Sequence, residues 1–197
     1  MVTFKKREVI YRPYEFILKT IVDVIMIVCA TYLIMMAFFT NATITGHSMN
    51  NTLYNGDKVL VNKIAYTFHA PERYDLIVFE SDMSGISGSY VKRIIGLPGE
   101  TVQIIDGIVY IDGKPLENDV ISTYINKPGL ASEPIKLSYD EYFVLGDNRN
   151  NSDDSRYSNI GLIKRDKIIG KPWLRIRPVS SFGTIKTSEI SNEAKEE

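Results

Sequence analysis

The feature that most constrains this chain of 197 residues is an apolar run near its start, at residues 16–39. Within the sequence FILKTIVDVIMIVCATYLIMMAFF only Lys19 and Asp23 are charged, and their spacing places them on one face of a helix. The hydrocarbon core of a bilayer requires about 20 apolar residues in a helix, so the run predicts a transmembrane segment. A buried helix of a soluble domain is the alternative, but few such helices are apolar on every face.

A cleaved signal peptide is a second alternative for the same run. Its apolar core would span only about 7–15 residues and would be followed by a small-x-small cleavage site. The run here is longer, and no such site follows Phe39. We therefore interpret residues 16–39 as an uncleaved membrane anchor.

The charges that flank the anchor predict its orientation. The basic residues before it are Lys5, Lys6, Arg7 and Arg12. Residues 39–57, in contrast, contain no lysine or arginine. By the positive-inside rule, residues 1–15 are expected in the cytoplasm and residues 40–179 outside the plasma membrane.

Composition excludes several classes of function. The chain has 23 basic and 24 acidic residues, without the basic excess that a nucleic-acid surface requires. The single cysteine, Cys29, excludes a disulfide framework and a Cys-rich metal site. The two histidines, His47 and His69, are too few for most zinc sites unless carboxylates supply the remaining ligands. The reaction expected below implies no metal and no cofactor.

The chain after the anchor is predicted to be mainly β. Short β-rich runs occur at residues 59–61, 76–79, 90–95, 101–105, 108–111, 142–145 and 173–176. Asp106-Gly107 and Asp112-Gly113 separate or follow β-branched runs, which predicts two consecutive hairpins. The fold class is therefore one N-terminal transmembrane helix followed by a mainly-β extracytoplasmic domain.

Three further segments carry weaker expectations. Residues 64–70 are compatible with a short turn of helix. Residues 118–134 are polar and interrupted by proline and glycine, which predicts an excursion over the surface. The polar tail, residues 180–197, is predicted to be disordered.

Small, polar and charged residues cluster in four stretches where a β-core does not require them. These stretches are Gly46-His47-Ser48-Met49, Arg73-Tyr74-Asp75, the ten residues YVKRIIGLPG from Tyr90, and the eleven residues GDNRNNSDDSR from Gly146. In this order and spacing they resemble type I signal peptidase, a serine protease family with a Ser–Lys dyad. The resemblance extends from the anchor to about residue 178. It implies an antiparallel β fold of the signal peptidase type, in the single-anchor form typical of Gram-positive bacteria.

A serine nucleophile needs a group that accepts its proton. His47 is adjacent to Ser48, and neighbouring side chains on an extended chain point to opposite faces. His69 lies in a loop two residues before Pro71, with no evident orienting partner nearby in the sequence. A lysine base is therefore the natural alternative.

Lys92 shares one face of its predicted strand with Tyr90 and Ile94. Burial there would disfavour the charged amine and lower its pKa toward neutrality. An ordinary strand lysine that faces water is the alternative for this residue taken alone.

The resemblance implies a role for each matching residue. Ser48 is the nucleophile and Lys92 its general base, while Ser152 orients the Lys92 amine by a hydrogen bond. Met49 contributes to a non-polar surface near the site. The residues expected to brace the site by ion pairs are Arg93, Asp147, Asp154 and Arg156.

Two of the four stretches have competing interpretations. The carboxylates that follow Gly146 also suggest calcium, but their spacing does not match an EF-hand loop. We interpret Arg73-Tyr74-Asp75 as structural rather than catalytic.

The chain departs from the family pattern at two positions near Ser48. Asn51 stands where the family usually has proline, and the loss of a restricted φ is expected to loosen the loop. Gly46 stands where some members carry a serine that helps to stabilise the oxyanion. The oxyanion hole is then expected to consist of backbone N–H groups, including that of Ser48.

The expected reaction is acyl transfer on exported pre-proteins with small residues at the first and third positions before the cut. Ser48 follows Phe39 closely enough to lie within about 30 Å of it even along a fully extended chain. The expected partners are signal peptides and the lipid bilayer, without nucleic acid, and the sequence predicts no oligomeric state.

Three rivals are considered. A self-cleaving repressor-type protease shares the dyad, but the anchor argues against it. A relative of signal peptidase with a narrow substrate set remains open, as does a catalytically silent, membrane-tethered domain that binds peptides.

Overall fold

The computed structural model describes residues 13–81, 88–117 and 119–185. It begins with one α-helix, α1 (Pro13–Phe38), which starts three residues before the predicted anchor and ends one residue earlier than predicted. Proline suits the first turn of a helix because its missing N–H would have no partner there. All of the helix side chains from Tyr14 to Phe38 are exposed. The helix is long and apolar enough to cross a membrane.

The remainder of the chain forms a second unit that begins at Phe39. Its strands are β1 (Phe39–Thr43), β2 (Lys58–Asn62), β3 (Leu76–Ser81), β4 (Gly88–Gly96), β5 (Thr101–Ile105), β6 (Ile108–Ile111), β7 (Lys114–Pro115), β8 (Ile135–Lys136), β9 (Glu141–Leu145), β10 (Ile163–Lys164), β11 (Ile168–Arg177) and β12 (Gly183–Thr184). All recorded pairings are antiparallel. The predicted mainly-β domain is therefore confirmed, and each predicted β run lies within one of these strands.

The strands form two sheets. The larger has the order β1-β2-β11-β3-β4-β9-β10, with β12 beside β11, and the smaller has the order β7-β6-β5-β8. β4 lies inside the larger sheet, where Lys92 is opposite Ile77 of β3 and Arg93 is opposite Leu145 of β9. The loop that follows β9 therefore begins beside Lys92 and Arg93.

Alternation along β4 directs its side chains to two different cores. Ile94 belongs to a buried cluster with Ile77, Phe79 and Val144, and Tyr90 packs against the same cluster. Ile95 belongs to another cluster that includes residues of the smaller sheet. Tyr90 and Ile94 thus share a face, as the strand period predicts, and Lys92 lies between them.

Both predicted Asp-Gly hairpins are present. Asp106 and Gly107 have φ values of 47° and 74°, and Asp112 and Gly113 have values of 50° and 78°. Positive φ at both central residues is the requirement of a tight hairpin turn whose twist matches that of the strands. These turns connect β5 to β6 and β6 to β7.

The structure corrects three weaker expectations. Residues 64–70 form turns and no helix. The segment 119–134 is not simply a surface excursion, because Val120, Ile121, Ile125 and Ala131 are buried. Ordered structure continues past the predicted boundary at residue 179, through a short 3-10 turn and β12. The rest of the predicted tail, residues 186–197, lies outside the described residues, as does Asn118.

Candidate active site

Ser48 lies in a compact turn between β1 and β2, residues 46–53, which we call the Ser48 turn. The Leu53 N–H donates to the Met49 carbonyl at 2.8 Å, and the Asn50 N–H donates to the His47 carbonyl at 3.2 Å. Because the chain is turned here, the expectation that His47 and Ser48 point to opposite faces of an extended segment does not apply. Ser48 is half-buried, whereas His47 is exposed.

Met49 has a different role from the one expected. It is only 2% exposed and packs in a buried cluster with Leu53 and Val59. It therefore anchors the Ser48 turn to the core rather than contributing to an open non-polar surface. Burial of such a side chain stabilises the fold by about 1.5–3 kcal/mol.

The two positions that depart from the family pattern both have a left-handed backbone. Gly46 has φ of 89° and Asn51 has φ of 88°. Asparagine tolerates this region better than other non-glycine residues, and proline, with φ near −65°, cannot adopt it. Proline therefore does not fit the turn as it stands here, and the expectation that Asn51 loosens the loop stays a prediction.

Lys92 is almost completely withdrawn from solvent, with 3% of its surface exposed. Its Nζ donates to Ser152 Oγ at 3.2 Å. Desolvation lowers the pKa of Lys92 to about 8, and the carboxylates of Asp154, Asp153 and Asp147 partly oppose this shift. The site therefore contains an amine that is neutral in a substantial fraction near neutral pH.

Gly146, the first residue after β9, lies where Ser48 and Ser152 approach each other. A Cβ at this position would lie 2.2 Å from Ser152 Oγ and 2.6 Å from the Ser48 carbonyl oxygen. No side chain fits those distances, so only glycine permits the approach. The Asn148 N–H also donates to the Ser48 carbonyl at 3.0 Å. These contacts bring the Ser48 turn, Ser152 and the Lys92 amine to one place.

Arg93 and Asp147 form a fully buried ion pair beside the site. Arg93 Nε and Nη2 each donate to one carboxylate oxygen of Asp147 at 2.7 Å, and both side chains are 0% exposed. The Thr52 hydroxyl donates to the same carboxylate at 2.5 Å. Because Thr52 is in the Ser48 turn, this pair connects that turn to the start of the loop after β9.

A second buried pair joins Arg156 to Asp154. Arg156 Nε and Nη2 donate to the two Asp154 oxygens, each at 2.8 Å. Asp154 also accepts the Gly146 N–H at 3.0 Å. We call residues 146–156 the support loop. Asp154 joins its first residue, Gly146, to its last, Arg156, and Ser152 lies between these ends.

Sequence reasoning missed a third pair and its partner. Arg149 donates from Nη1 and Nη2 to the two oxygens of Asp119 at 2.6 and 2.7 Å. Arg149 lies within the polar stretch singled out in the sequence, but nothing in the sequence around Asp119 indicates its partner. The Arg73-Tyr74-Asp75 stretch has structural contacts, since Arg73 pairs with Glu100 and Asp75 with Lys171.

Among residues 13–81, 88–117 and 119–185, no group of three or more His, Cys, Asp or Glu side chains is arranged to hold a metal ion. Two of the carboxylates near Lys92, those of Asp147 and Asp154, are paired with Arg93 and Arg156.

Comparison with known proteins identifies the family. A family model described as "Signal peptidase, peptidase S26" matches residues 17–176. The chain belongs to this family. It is accordingly a serine endopeptidase of the signal peptidase I type, acting on the signal peptides of exported pre-proteins.

Several curated relatives of this signal peptidase support the assignment. The probable signal peptidase I-2 of Synechocystis sp. is 38% identical over 157 residues, which cover 78% of this chain and 69% of the relative. The signal peptidase I of Leptolyngbya laminosa is 40% identical, with coverage of 72% and 70%. The signal peptidase I T of Bacillus subtilis is 37% identical, with coverage of 75% and 78%.

A solved structure is also similar. The crystal structure of a signal peptidase I from Enterococcus faecalis is 33% identical and matches with a TM-score of 0.41, covering 51% of this chain and 95% of that chain.

Proposed function

We propose that this signal peptidase cleaves by acyl transfer, with Ser48 as the nucleophile and neutral Lys92 as the general base. The observation that carries the proposal is the position of Lys92, which is 3% exposed and is hydrogen-bonded to Ser152 beside the Ser48 turn. A lysine in water has a pKa of about 10.4, which leaves under about 0.1% neutral at pH 7. With a pKa of about 8, about one tenth of Lys92 is neutral at that pH.

The reaction proceeds in two halves. Neutral Lys92 takes the proton from Ser48 Oγ as that oxygen attacks the scissile carbonyl, and the lysine then returns the proton to the departing amine. A water molecule then attacks the acyl carbon as the same lysine takes its proton, and the lysine passes that proton to Ser48 Oγ when the ester C–O bond breaks. Backbone N–H groups, including that of Ser48, stabilise the oxyanion, because Gly46 carries no hydroxyl.

Ser152 holds the Lys92 amine in the required direction. Its hydroxyl accepts from Lys92 Nζ at 3.2 Å and lies within 3.4 Å of the Asp153 carbonyl oxygen, to which it can donate. An amine that donates one of its hydrogens to Ser152 has its lone pair restricted to fewer directions. This is the pre-organisation that a general base needs.

The substrate is the cleavage region of an exported pre-protein with small residues at its first and third positions before the cut. The family resemblance supplies this preference. The test is incubation of purified wild-type protein with a pre-protein that carries an Ala-x-Ala site, followed by identification of the mature product by mass.

The matched variants are Ser48→Ala, Lys92→Met and, as a control, Ser158→Ala at an exposed serine. We expect cleavage after the final alanine by the wild type and the control, and a loss of at least about 10³-fold in both dyad variants. Turnover by the Lys92→Met variant at the wild-type rate would refute the mechanism. No cleavage by folded wild type, together with no reaction of Ser48 with a serine-directed acylating probe, would favour a silent peptide-binding domain. Probe reaction without cleavage of this substrate would favour a relative with a narrow substrate set.

We further propose that α1 spans the plasma membrane with the N-terminus in the cytoplasm and the β domain outside. The support is the length and apolar composition of the helix and the absence of lysine and arginine from residues 39–57. A cysteine replacing the 88%-exposed Phe68, in a Cys29→Ser background, should react with a membrane-impermeant maleimide on intact cells. A cysteine at Lys5 should react only after the cells are lysed, and the reverse result would invert the topology.

A further inference from the structure

We infer that the segment of residues 119–130, which we call the clamp, positions the general base by holding the support loop, with Asp119 as its principal positioning residue. The inference rests on the proposed function, since it concerns how Lys92 is kept competent. The clamp lies outside the stretches that resemble the family motifs, and in the described hydrogen bonds and ion pairs it has no contact with Lys92.

The first attachment is the pair between Asp119 and Arg149. The Arg149 side chain is 1% exposed and donates two parallel hydrogen bonds to the Asp119 carboxylate, which is 14% exposed. The Ile121 N–H donates to Asp119 Oδ1 at 3.1 Å, which fixes the carboxylate relative to the clamp backbone. A two-point bond of this kind defines orientation as well as distance.

The second attachment is a reciprocal pair of hydrogen bonds at Asn150. Its side-chain oxygen accepts the Asn126 N–H at 2.9 Å, and its side-chain nitrogen donates to the Tyr124 carbonyl at 2.9 Å. The side-chain amide of Asn150 thus makes the two hydrogen bonds to the clamp backbone that an adjacent β-strand would otherwise make. Two consecutive residues of the support loop are therefore held from the same side.

The third attachment is at Arg156, the far end of the support loop. Arg156 Nη1 donates to the Lys127 carbonyl at 3.1 Å, and the Leu130 N–H donates to the Arg156 carbonyl at 2.8 Å. Gly129 has φ of 57°, and a Cβ there would lie 2.3 Å from the Arg156 carbonyl oxygen. The clamp and the support loop are therefore in backbone contact at this end.

The clamp is itself fixed to the protein interior. Val120, Ile121 and Ile125 are 6%, 4% and 2% exposed, and Ile125 packs in the cluster that contains Ile95 of β4. The attachments at Arg149 and Arg156 lie on either side of Ser152. Ser152 is thereby held at both ends by a segment that is rooted in the core.

This arrangement bears directly on Lys92. The charged groups that act on Lys92 are Asp154, Asp153, Asp147 and Arg156, and all of them are in the support loop. The loop also supplies the Ser152 hydroxyl that accepts from Nζ. If the loop moved outward, water would reach the amine and the charged form would be favoured again.

The experiment compares Asp119→Asn with Glu100→Gln in the full-length protein in detergent. Glu100 is the matched control because it also forms a two-point pair with an arginine, Arg73, and is similarly buried, with 19% of its side chain exposed. Neither Glu100 nor Arg73 contacts the support loop in the described contacts. Two readouts are taken for each variant, namely hydrogen–deuterium exchange of the peptide that contains residues 146–156, and kcat/KM against pH.

We expect Asp119→Asn to accelerate exchange in the support loop and to lower kcat by about 10- to 100-fold, as small displacements of catalytic groups do. The acidic limb of kcat/KM should move to higher pH, because a solvated Lys92 is protonated up to a higher pH. Glu100→Gln should leave the acidic limb and the exchange of the loop unchanged. If Asp119→Asn folds poorly, Asp119→Glu, which keeps the carboxylate but lengthens its arm, should give a smaller displacement in the same direction.

Two results would overturn the inference. Unchanged exchange of residues 146–156 in Asp119→Asn would show that the clamp does not hold the loop. Faster exchange with an unshifted acidic limb would show that the clamp is structural and does not position the base. Failure of the proposed function would be distinguishable from both, since wild-type protein would then show no cleavage that depends on Ser48.

Discussion

The Ser48 turn and the support loop meet at Gly146, but different forces hold them in place. The Ser48 turn has two buried apolar anchors, Met49 and Leu53, which are 2% and 0% exposed, and its Ser48 and Thr52 carbonyls accept from Asn148 and Arg175. The support loop is fixed by buried arginine–carboxylate pairs, in which Arg93, Arg149 and Arg156 are at most 2% exposed. Thr52, which donates to Asp147, is a polar tie between the two regions.

The difference follows from what each region does in the proposed mechanism. Ser48 must remain half-exposed to meet a peptide, and the buried apolar side chains of its turn, Met49 and Leu53, contribute an anchor that needs no polar partner. The support loop surrounds an amine that must stay dry, and a dry site tolerates charge only when the charge is paired and hydrogen-bonded. The free energy of unfolding should therefore fall in proportion to the volume removed when an apolar anchor is shortened. It should fall by a large amount in one step when one partner of a buried ion pair is removed.

The largest effect is expected from Asp147→Asn, which leaves the fully buried Arg93 without its counter-charge. Breaking a buried pair from one side lowers the free energy of unfolding by about 3–5 kcal/mol. The comparison is Lys171→Met, which removes the 35%-exposed partner of Asp75. Asp75 is buried but keeps its hydrogen bonds from the Tyr66 hydroxyl and the Glu72 N–H, so the loss should be smaller, about 1–3 kcal/mol. Denaturant unfolding of the two variants measures the contrast, and equal losses would contradict it.

The apolar anchor is tested by Met49→Ala. Removing a buried methionine side chain is expected to lower the free energy of unfolding by about 2–5 kcal/mol and to lower kcat as the Ser48 turn shifts. Met49→Leu, which nearly conserves volume, should cost less than about 1.5 kcal/mol and keep most activity. Calorimetry and steady-state kinetics measure both variants. If Met49→Ala changed neither the free energy of unfolding nor kcat, the turn would be held by its backbone contacts instead.

The backbone of the Ser48 turn is tested by Asn51→Pro, which introduces the residue usual in the family. Because Asn51 has φ of 88°, proline should destabilise this turn by about 1–3 kcal/mol and reduce kcat. Asn51→Gly, which accepts the same φ without strain, is the control and should be nearly neutral. Thermal unfolding and cleavage assays report the outcome. Higher activity in the proline variant would show that the turn adopts the other conformation during catalysis.

The smallest effect is expected at Asp153, an exposed carboxylate of the support loop. Wild-type kcat/KM should rise with pH through a midpoint near 8, because neutral Lys92 is the active form and its pKa is about 8. Asp153 favours the protonated amine, so Asp153→Asn should lower that pKa and move the acidic limb to lower pH by a fraction of a pH unit. Asp166→Asn, at an exposed aspartate of another loop, should not move it, and added salt should weaken the Asp153 effect. A shift to higher pH would refute this electrostatic account.

Local patterns predicted much of the fold. The positive φ values of the two Asp-Gly turns arise from the conformational freedom of those residues, so the hairpins were recognisable without the rest of the chain. The segment 119–134 was misjudged because Val120, Ile121 and Ile125 show neither the helical nor the strand period. Their burial depends on which surface the segment crosses. The burial of Met49 is unpredictable for a related reason, since it depends on the cluster with Leu53 and Val59 in which the side chain packs.

The apolar helix, the mainly-β domain, the two hairpins and the face of β4 that carries Lys92 could all be predicted from the amino-acid sequence. These features follow from chain-local properties, namely hydrophobic length, the period of two along a strand and the backbone preferences of aspartate and glycine. Only the tertiary structure decided that Lys92 is dry enough to have a pKa of about 8, that Gly146 lets Ser48 approach Ser152, and that Asp119 is the partner of Arg149. Desolvation and ion pairing act through space, and the residues that supply them come from segments far apart in the chain.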